Sequence, residues 1–342
     1  MSLSLAAPAA TGGIDSIGTP TLWALSIAAV LALLALDFVV TRRPHEVSMR
    51  EAIGWSAFYI ALPLTFAVWV WAEHGNERGL EYLTGYLVEK SLSVDNLFVF
   101  MLLLTAFAVP AALQQRVLLY GIVGALVLRG IFIALGAAAL ASLSWAFLLF
   151  GAILLLTAVK IFKDAKAGHH GEVDIEHMRV VSLLRRFMPV SSAYAGPRMT
   201  VPLDGKRALT PFAVVVVAVL ATDVVFAVDS VPAVYGITSD PYLVFVTNAF
   251  ALLGLRALYF VLQGALSRLV HLGYGLAVIL AFIGVKLVLH WAHGVWTWVP
   301  EIPTLLSLAV IVVVLATVTV TSLRATRAPG SHPHRAEESF VP

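Results

Sequence analysis

The stretch Glu89-Lys90-Ser91-Leu92-Ser93-Val94-Asp95-Asn96 carries two carboxylates and an amine, and it runs straight on into Leu97-Phe98-Val99-Phe100-Met101-Leu102-Leu103-Leu104. Its pattern returns at Asp223-Val224-Val225-Phe226-Ala227-Val228-Asp229-Ser230, again inside an apolar run. In both copies an acid is followed six residues later by an aspartate, and that aspartate by a small polar residue. A carboxylate surrounded by hydrocarbon is costly and usually functional, so these two stretches are the first candidates for the working part of the chain.

The sequence around them sets the class. Sixty per cent of residues are hydrophobic, 12% are charged and the mean hydropathy is +0.92, whereas soluble domains carry roughly 25% charge. Apolar runs recur, each near the roughly 20 residues that a bilayer requires. They are continuous and lack the alternation of a β-barrel, so the expected fold is an all-α polytopic membrane protein. The chain has no cysteine, which excludes disulfides, thiolate metal sites and cysteine nucleophiles.

Nine spans are read, at about 21–40, 51–72, 82–108, 116–139, 143–163, 208–234, 242–262, 270–291 and 303–323. No Lys or Arg precedes the first run and Arg42-Arg43 follow it, so Trp23–Val40 is expected to be a retained anchor with its N-terminus outside. Sixteen of the 22 Lys and Arg then fall in cytoplasmic loops, Arg78 alone falls outside, and five lie within spans. The expected organisation is an external tail (1–20), two helices (21–80), a three-helix unit (81–163), a cytoplasmic loop (164–207), a second three-helix unit (208–291), a last helix (292–323) and a cytoplasmic tail (324–342). The expected location is the inner or plasma membrane. His290, His293, Trp296 and Trp298 read as an outer interfacial belt.

The two three-helix units repeat each other. Glu89 corresponds to Asp223, and Asp95-Asn96 to Asp229-Ser230. In the next span Leu128-Arg129-Gly130-Ile131-Phe132 corresponds to Leu255-Arg256-Ala257-Leu258-Tyr259, and in the third Val159-Lys160-Ile161 to Val285-Lys286-Leu287. The offset is 127 at the arginines and 126 at the lysines, so the register holds across two spans. The first unit enters from outside and the second from inside. Inverted repeats with polar helices at corresponding positions mark secondary transporters.

Five acids (Asp37, Glu89, Asp95, Asp223, Asp229) and five bases (Lys90, Arg129, Lys160, Arg256, Lys286) lie within the spans. At roughly 2.5–3.5 kcal/mol each, their gross insertion cost is on the order of 20–30 kcal/mol, less where lysines reach an interface. Numerical balance implies pairing, with Arg129 and Arg256 expected as counter-ions that a transported cation displaces, and Lys90, Lys160 and Lys286 as further counter-charges. Six residues of helix rotate by about 240°, so Glu89 and Asp95 face different walls unless the helix is unwound between them. Pro232 favours an interruption beside Asp229. Oxygen ligands without thiolate suit Mg²⁺, Ca²⁺ or Mn²⁺. Asp95, Asn96, Asp229 and Ser230 are the expected ligands, with Glu89 and Asp223 as ligands or proton carriers.

At these residues the chain resembles the TerC family of membrane proteins, and within it the Alx-like branch. The resemblance is carried by Glu89–Phe100, by Phe226-Ala227-Val228-Asp229-Ser230-Val231-Pro232-Ala233, and by Asn248–Phe260, with Thr247 a small departure; it covers roughly residues 20–325. It implies a manganese exporter, related to lysine-exporter-like carriers with three-plus-three inverted repeats. The identity of the metal rests on that resemblance.

Divalent-cation export in exchange for protons is therefore the leading expectation, with the ion as cargo, no cofactor, and the lipid bilayer as the partner in place of any nucleic acid. An amino-acid exporter is the nearest rival, although paired acids on both repeats suit a small hard cation better than a zwitterion. A scaffold with structural ion pairs is a third reading. An enzyme is not expected: there is no His-Glu-x-x-His, no Gly-x-Ser-x-Gly and no Ser–His pairing within the spans. His169, His170, Glu172, Asp174, Glu176 and His177 could form a regulatory metal site, but a solvated loop is the simpler expectation.

Overall fold

A computed structural model describes residues 16–40, 47–143, 145–167, 186, 188–191, 193–203, 206–262, 271–296 and 298–327. Nine helices are described within them: α1 (Pro20–Val40), α2 (Met49–Ala106), α3 (Ala111–Ser142), α4 (Ala146–Ala167), α5 (Pro211–Tyr235), α6 (Pro241–Leu253), α7 (Leu255–Leu262), α8 (Leu272–Val295) and α9 (Thr304–Arg327). A small antiparallel hairpin, β1 (Thr200–Leu203) and β2 (Lys206–Leu209), precedes α5. The His and acid cluster at 169–177 and the tail from 328 lie outside the described residues.

Local chemistry sets the starts of the helices. Ser48 caps α2 by accepting from Glu51 N, Thr210 caps α5 by accepting from Ala213 N, and Asp240 caps α6 by accepting from Tyr242 N. Pro211 and Pro241 occupy the first position of their helices, where the missing N–H has no cost.

Among the described residues seven helices are long and apolar enough to cross a membrane, or eight if the bent pair α6–α7 is one span. α2 alone has 58 residues, with a single non-helical position at Gly75 (φ 84°, ψ 179°). The chain kinks there, so α2 is two helices, 49–74 and 76–106, of roughly 39 and 46 Å at 1.5 Å per residue, each longer than the roughly 30 Å hydrocarbon core. The expected boundary between spans at 51–72 and 82–108 is this one glycine, whose positive φ needs no Cβ.

The expected interruption at Pro232 is absent: α5 stays helical from Pro211 to Tyr235. Nor is α2 unwound between Glu89 and Asp95. The break in this half lies instead at Gly254, where α6 and α7 meet at 44°.

The helices pack through small residues. A Cβ on Gly151 of α4 would lie 2.9 Å from the Gly284 carbonyl of α8, and one on Gly284 would lie 3.1 Å from that of Gly151. Such backbone-to-backbone approach is how apolar helices gain contact in lipid. α3 packs on α5 as α2 packs on α6, and α4 on α5 as α2 on α8. One apolar core gathers Leu97, Val117, Phe212 and Val219, and another Leu92, Leu154, Val234 and Ile283.

Candidate functional site

Between these cores α2, α3, α5 and α6 converge on Arg129. Its side chain is 1% exposed, and Glu89 and Asp223 are 0% and 1% exposed. Nη1 donates to Glu89 Oε1 and, at 3.0 Å, to Asn248 Oδ1. Nε and Nη2 form a fork on the two oxygens of Asp223, at 3.5 and 3.2 Å. With its amide turned so that the nitrogen meets Leu92 O, Asn96 accepts from Nη2 at 3.3 Å. A guanidinium has five N–H donors, so this one is fully used.

The two halves of the predicted motif are thus joined by one residue. Glu89, Ser93 and Asn96 lie at i, i+4 and i+7 on one face of α2, and Asp223 and Ser230 at i and i+7 on one face of α5. Asp95 and Asp229 are half-buried on neighbouring faces, and Asp229 lies within electrostatic range of both Arg129 and Asp95. Glu89 and Asp223 bond the guanidinium and Asp229 lies within its range, so three carboxylates face one guanidinium.

Oxygen atoms remain over. Glu89 Oε2, Ser93 Oγ and Ser230 Oγ are buried without a hydrogen-bond partner among the described residues, and a buried polar atom left unpaired is costly. Among those residues no three acidic or histidine side chains are gathered closely enough to hold a metal ion. The guanidinium stands between the acids.

The remaining sequence-predicted bases go elsewhere. Arg256 matches Arg129 in the repeat, yet its side chain donates to Asp37 of α1 at 2.8 Å and to Gln115 of α3 at 3.0 Å, and Tyr59 also donates to Asp37. Lys90 points away from the cluster and donates to the Ala251 carbonyl at 3.3 Å, beside the Gly254 break. There it meets the carbonyl end of α6, where a cation is favoured. Lys160 is exposed. Lys286 lines a cavity of about 680 Å³ together with Glu77, Glu81, Ser239, His290 and Glu301.

Asn248 and Gln115 were not among the expected site residues. Asn248 carries a weak signal, being flanked by Thr247 in the otherwise apolar α6. Gln115, next to Arg116 at a predicted span boundary, reads as a loop residue and gives none.

Comparison with known proteins places this arrangement. A membrane protein of Myxococcus xanthus, itself uncharacterized, is 43% identical over 80% of this chain and 84% of its own length. One from Mycobacterium tuberculosis is 42% identical over 79% of this chain and 68% of its own. Alx of Escherichia coli K12, which bears the provisional description of membrane-bound redox modulator, is 40% identical over 81% of this chain and 88% of its own. No solved structure matches the chain. The model of the integral membrane protein TerC family matches residues 74–329, which hold the whole Arg129 cluster. This chain belongs to the TerC family of integral membrane proteins.

Proposed function

We propose that the chain is a secondary transporter that exports a divalent cation, Mn²⁺ first, in exchange for protons. The observation that carries this reading is the set of unpartnered buried oxygens, Glu89 Oε2, Ser93 Oγ and Ser230 Oγ, beside carboxylates that outnumber their guanidinium. A hard cation needs oxygen ligands and negative charge, and both are in surplus here. Arg129 holds Glu89 and Asp223 while the site is empty. An arriving cation takes over these carboxylates together with Asp95, Asn96, Asp229 and Ser230, and the guanidinium swings off. The choice of Mn²⁺ over Mg²⁺ or Ca²⁺ comes from the family resemblance.

The transport cycle follows from the repeat. Dividing α2 at Gly75 and counting α6–α7 as one span gives nine crossings, with the N-terminus outside and the C-terminus cytoplasmic. The reciprocal packing of α3 on α5 and α2 on α6 supports two units related by an axis in the membrane plane, rocking about a central site. Without cysteine the chain has no thiol–disulfide chemistry of its own, so a redox effect of the kind named for Alx would reach the cell through the ion moved.

The test is the content of Mn, Mg, Ca and Fe in manganese-loaded cells carrying wild type, Asp95→Asn or Asp229→Asn at matched membrane levels. Wild type lowers Mn alone, and both variants fail to. No change in any metal with wild type would move the amino-acid and scaffold readings ahead.

A further inference from the structure

α1 precedes the family-matched residues 74–329, yet it is bonded to one bent element at three heights. Just before its first turn, Ser16 Oγ and Ile17 N donate to the side chain of Asp240, the N-cap of α6, at 2.5 and 2.8 Å. Further along, the Ser26 and Tyr242 hydroxyls share a hydrogen bond of 2.7 Å, and Trp23 stands edge-on to Tyr242. At its far end, Asp37 Oδ1 accepts from Arg256 Nη2 of α7 at 2.8 Å.

Between the second and third of these contacts lies the 44° bend at Gly254. Apart from Val30, Asp37 is the only buried residue of α1. A helix whose other inward contacts are half-buried apolar side chains such as Trp23, Leu33 and Leu34 thus turns one carboxylate fully inward, onto the Arg256 guanidinium. Tyr59 Oη and Gln115 Oε1 complete the grip, the first on Asp37 at 2.9 Å and the second on Arg256 at 3.0 Å.

Helix breaks are where φ/ψ changes are absorbed when packed units move. α6 carries Asn248, which bonds the central Arg129, so the bend angle bears directly on the central cluster. Lys90 holds the α6 side of the break through the Ala251 carbonyl, and Asp37 holds the α7 side through Arg256.

We propose that α1 is a splint on the broken span α6–α7, and that the Asp37–Arg256 pair is the latch through which it sets the bend. Asp37 is thereby a positioning residue for the transport cycle. The proposal takes its physiological meaning from the carrier reading but is measured by accessibility, so either can fail while the other stands. Ser239, exposed next to Asp240, lines the 680 Å³ cavity at the upper end of the splint and reports the latched conformation.

The absence of cysteine makes the test direct. Ser239→Cys is introduced alone, and its labelling by a soluble maleimide is followed in detergent-purified protein, with Gly294→Cys, in open space, as the reagent control. Adding Asp37→Asn slows labelling at 239 by at least about threefold, as expected when a charged latch that biases two conformations is lost, and leaves labelling at 294 unchanged. The double variant Asp37→Asn/Arg256→Met, which removes the orphaned charge, stays slow. If Asp37→Asn does not yield folded protein, the double variant and Tyr59→Phe carry the same prediction. Unchanged labelling at 239 overturns the latch. So does recovery in the double variant, because a merely structural pair is relieved once neither charge is left alone.

Discussion

Arg129 is the residue on which the account turns, because it joins acids from both halves of the chain. Removing one partner of a buried ion pair costs roughly 3–5 kcal/mol, since the other charge is left in low dielectric. Arg129→Met therefore lowers the unfolding temperature of the purified protein strongly. The same substitution leaves Glu89 and Asp223 without their guanidinium, so millimolar Mn²⁺ raises the unfolding temperature of Arg129→Met more than that of wild type. Equal shifts in the two proteins would mean that the acids do not take a cation in its place. Glu89 and Asp223 were legible in the sequence because charge inside an apolar run is conspicuous. That Arg129 would take both of them, and Arg256 neither, was not: the repeat makes the two arginines equivalent in sequence. Asp37 breaks the tie from a helix that lies outside the repeat.

At the scale of the element, glycines decide how closely helices approach. A Cβ at Gly151 meets a backbone carbonyl at 2.9 Å, one at Gly254 meets Tyr59 Cβ at 3.0 Å, and one at Gly130 meets nothing within 4 Å. Overpacking typically costs about 1–3 kcal/mol, most where the neighbour cannot yield. Thermal unfolding of the three alanine variants should thus rank Gly151→Ala as most destabilised, Gly254→Ala next, and Gly130→Ala closest to wild type. A Gly130→Ala loss as large as that of Gly151→Ala would contradict the packing described. Helix positions were largely legible, since apolar runs of bilayer length admit few alternatives. Breaks were not. Pro232 sits in the last turn of α5, which stays helical to Tyr235 although the ring leaves the Val228 carbonyl without its usual donor, whereas the bend falls at Gly254, an unremarkable residue by sequence. Polarity alone also hid the β1–β2 hairpin inside the segment read as a loop.

For the whole molecule, the reciprocal packing and the shared central cluster argue that the two halves work as one device around one site. On the carrier reading proposed above, the surplus of carboxylates over guanidinium favours a cation, and the unpartnered buried oxygens are the ligands it would find. The most direct test is Mn²⁺ flux in vesicles reconstituted with purified wild type or Glu89→Gln, a substitution that keeps the shape of the side chain but removes its charge. Wild type should carry Mn²⁺ in the direction opposite to an imposed proton gradient, as protons run down it, while Glu89→Gln, folded and inserted to the same extent, should carry none. Equal flux through both proteins, or none through wild type, would contradict the account.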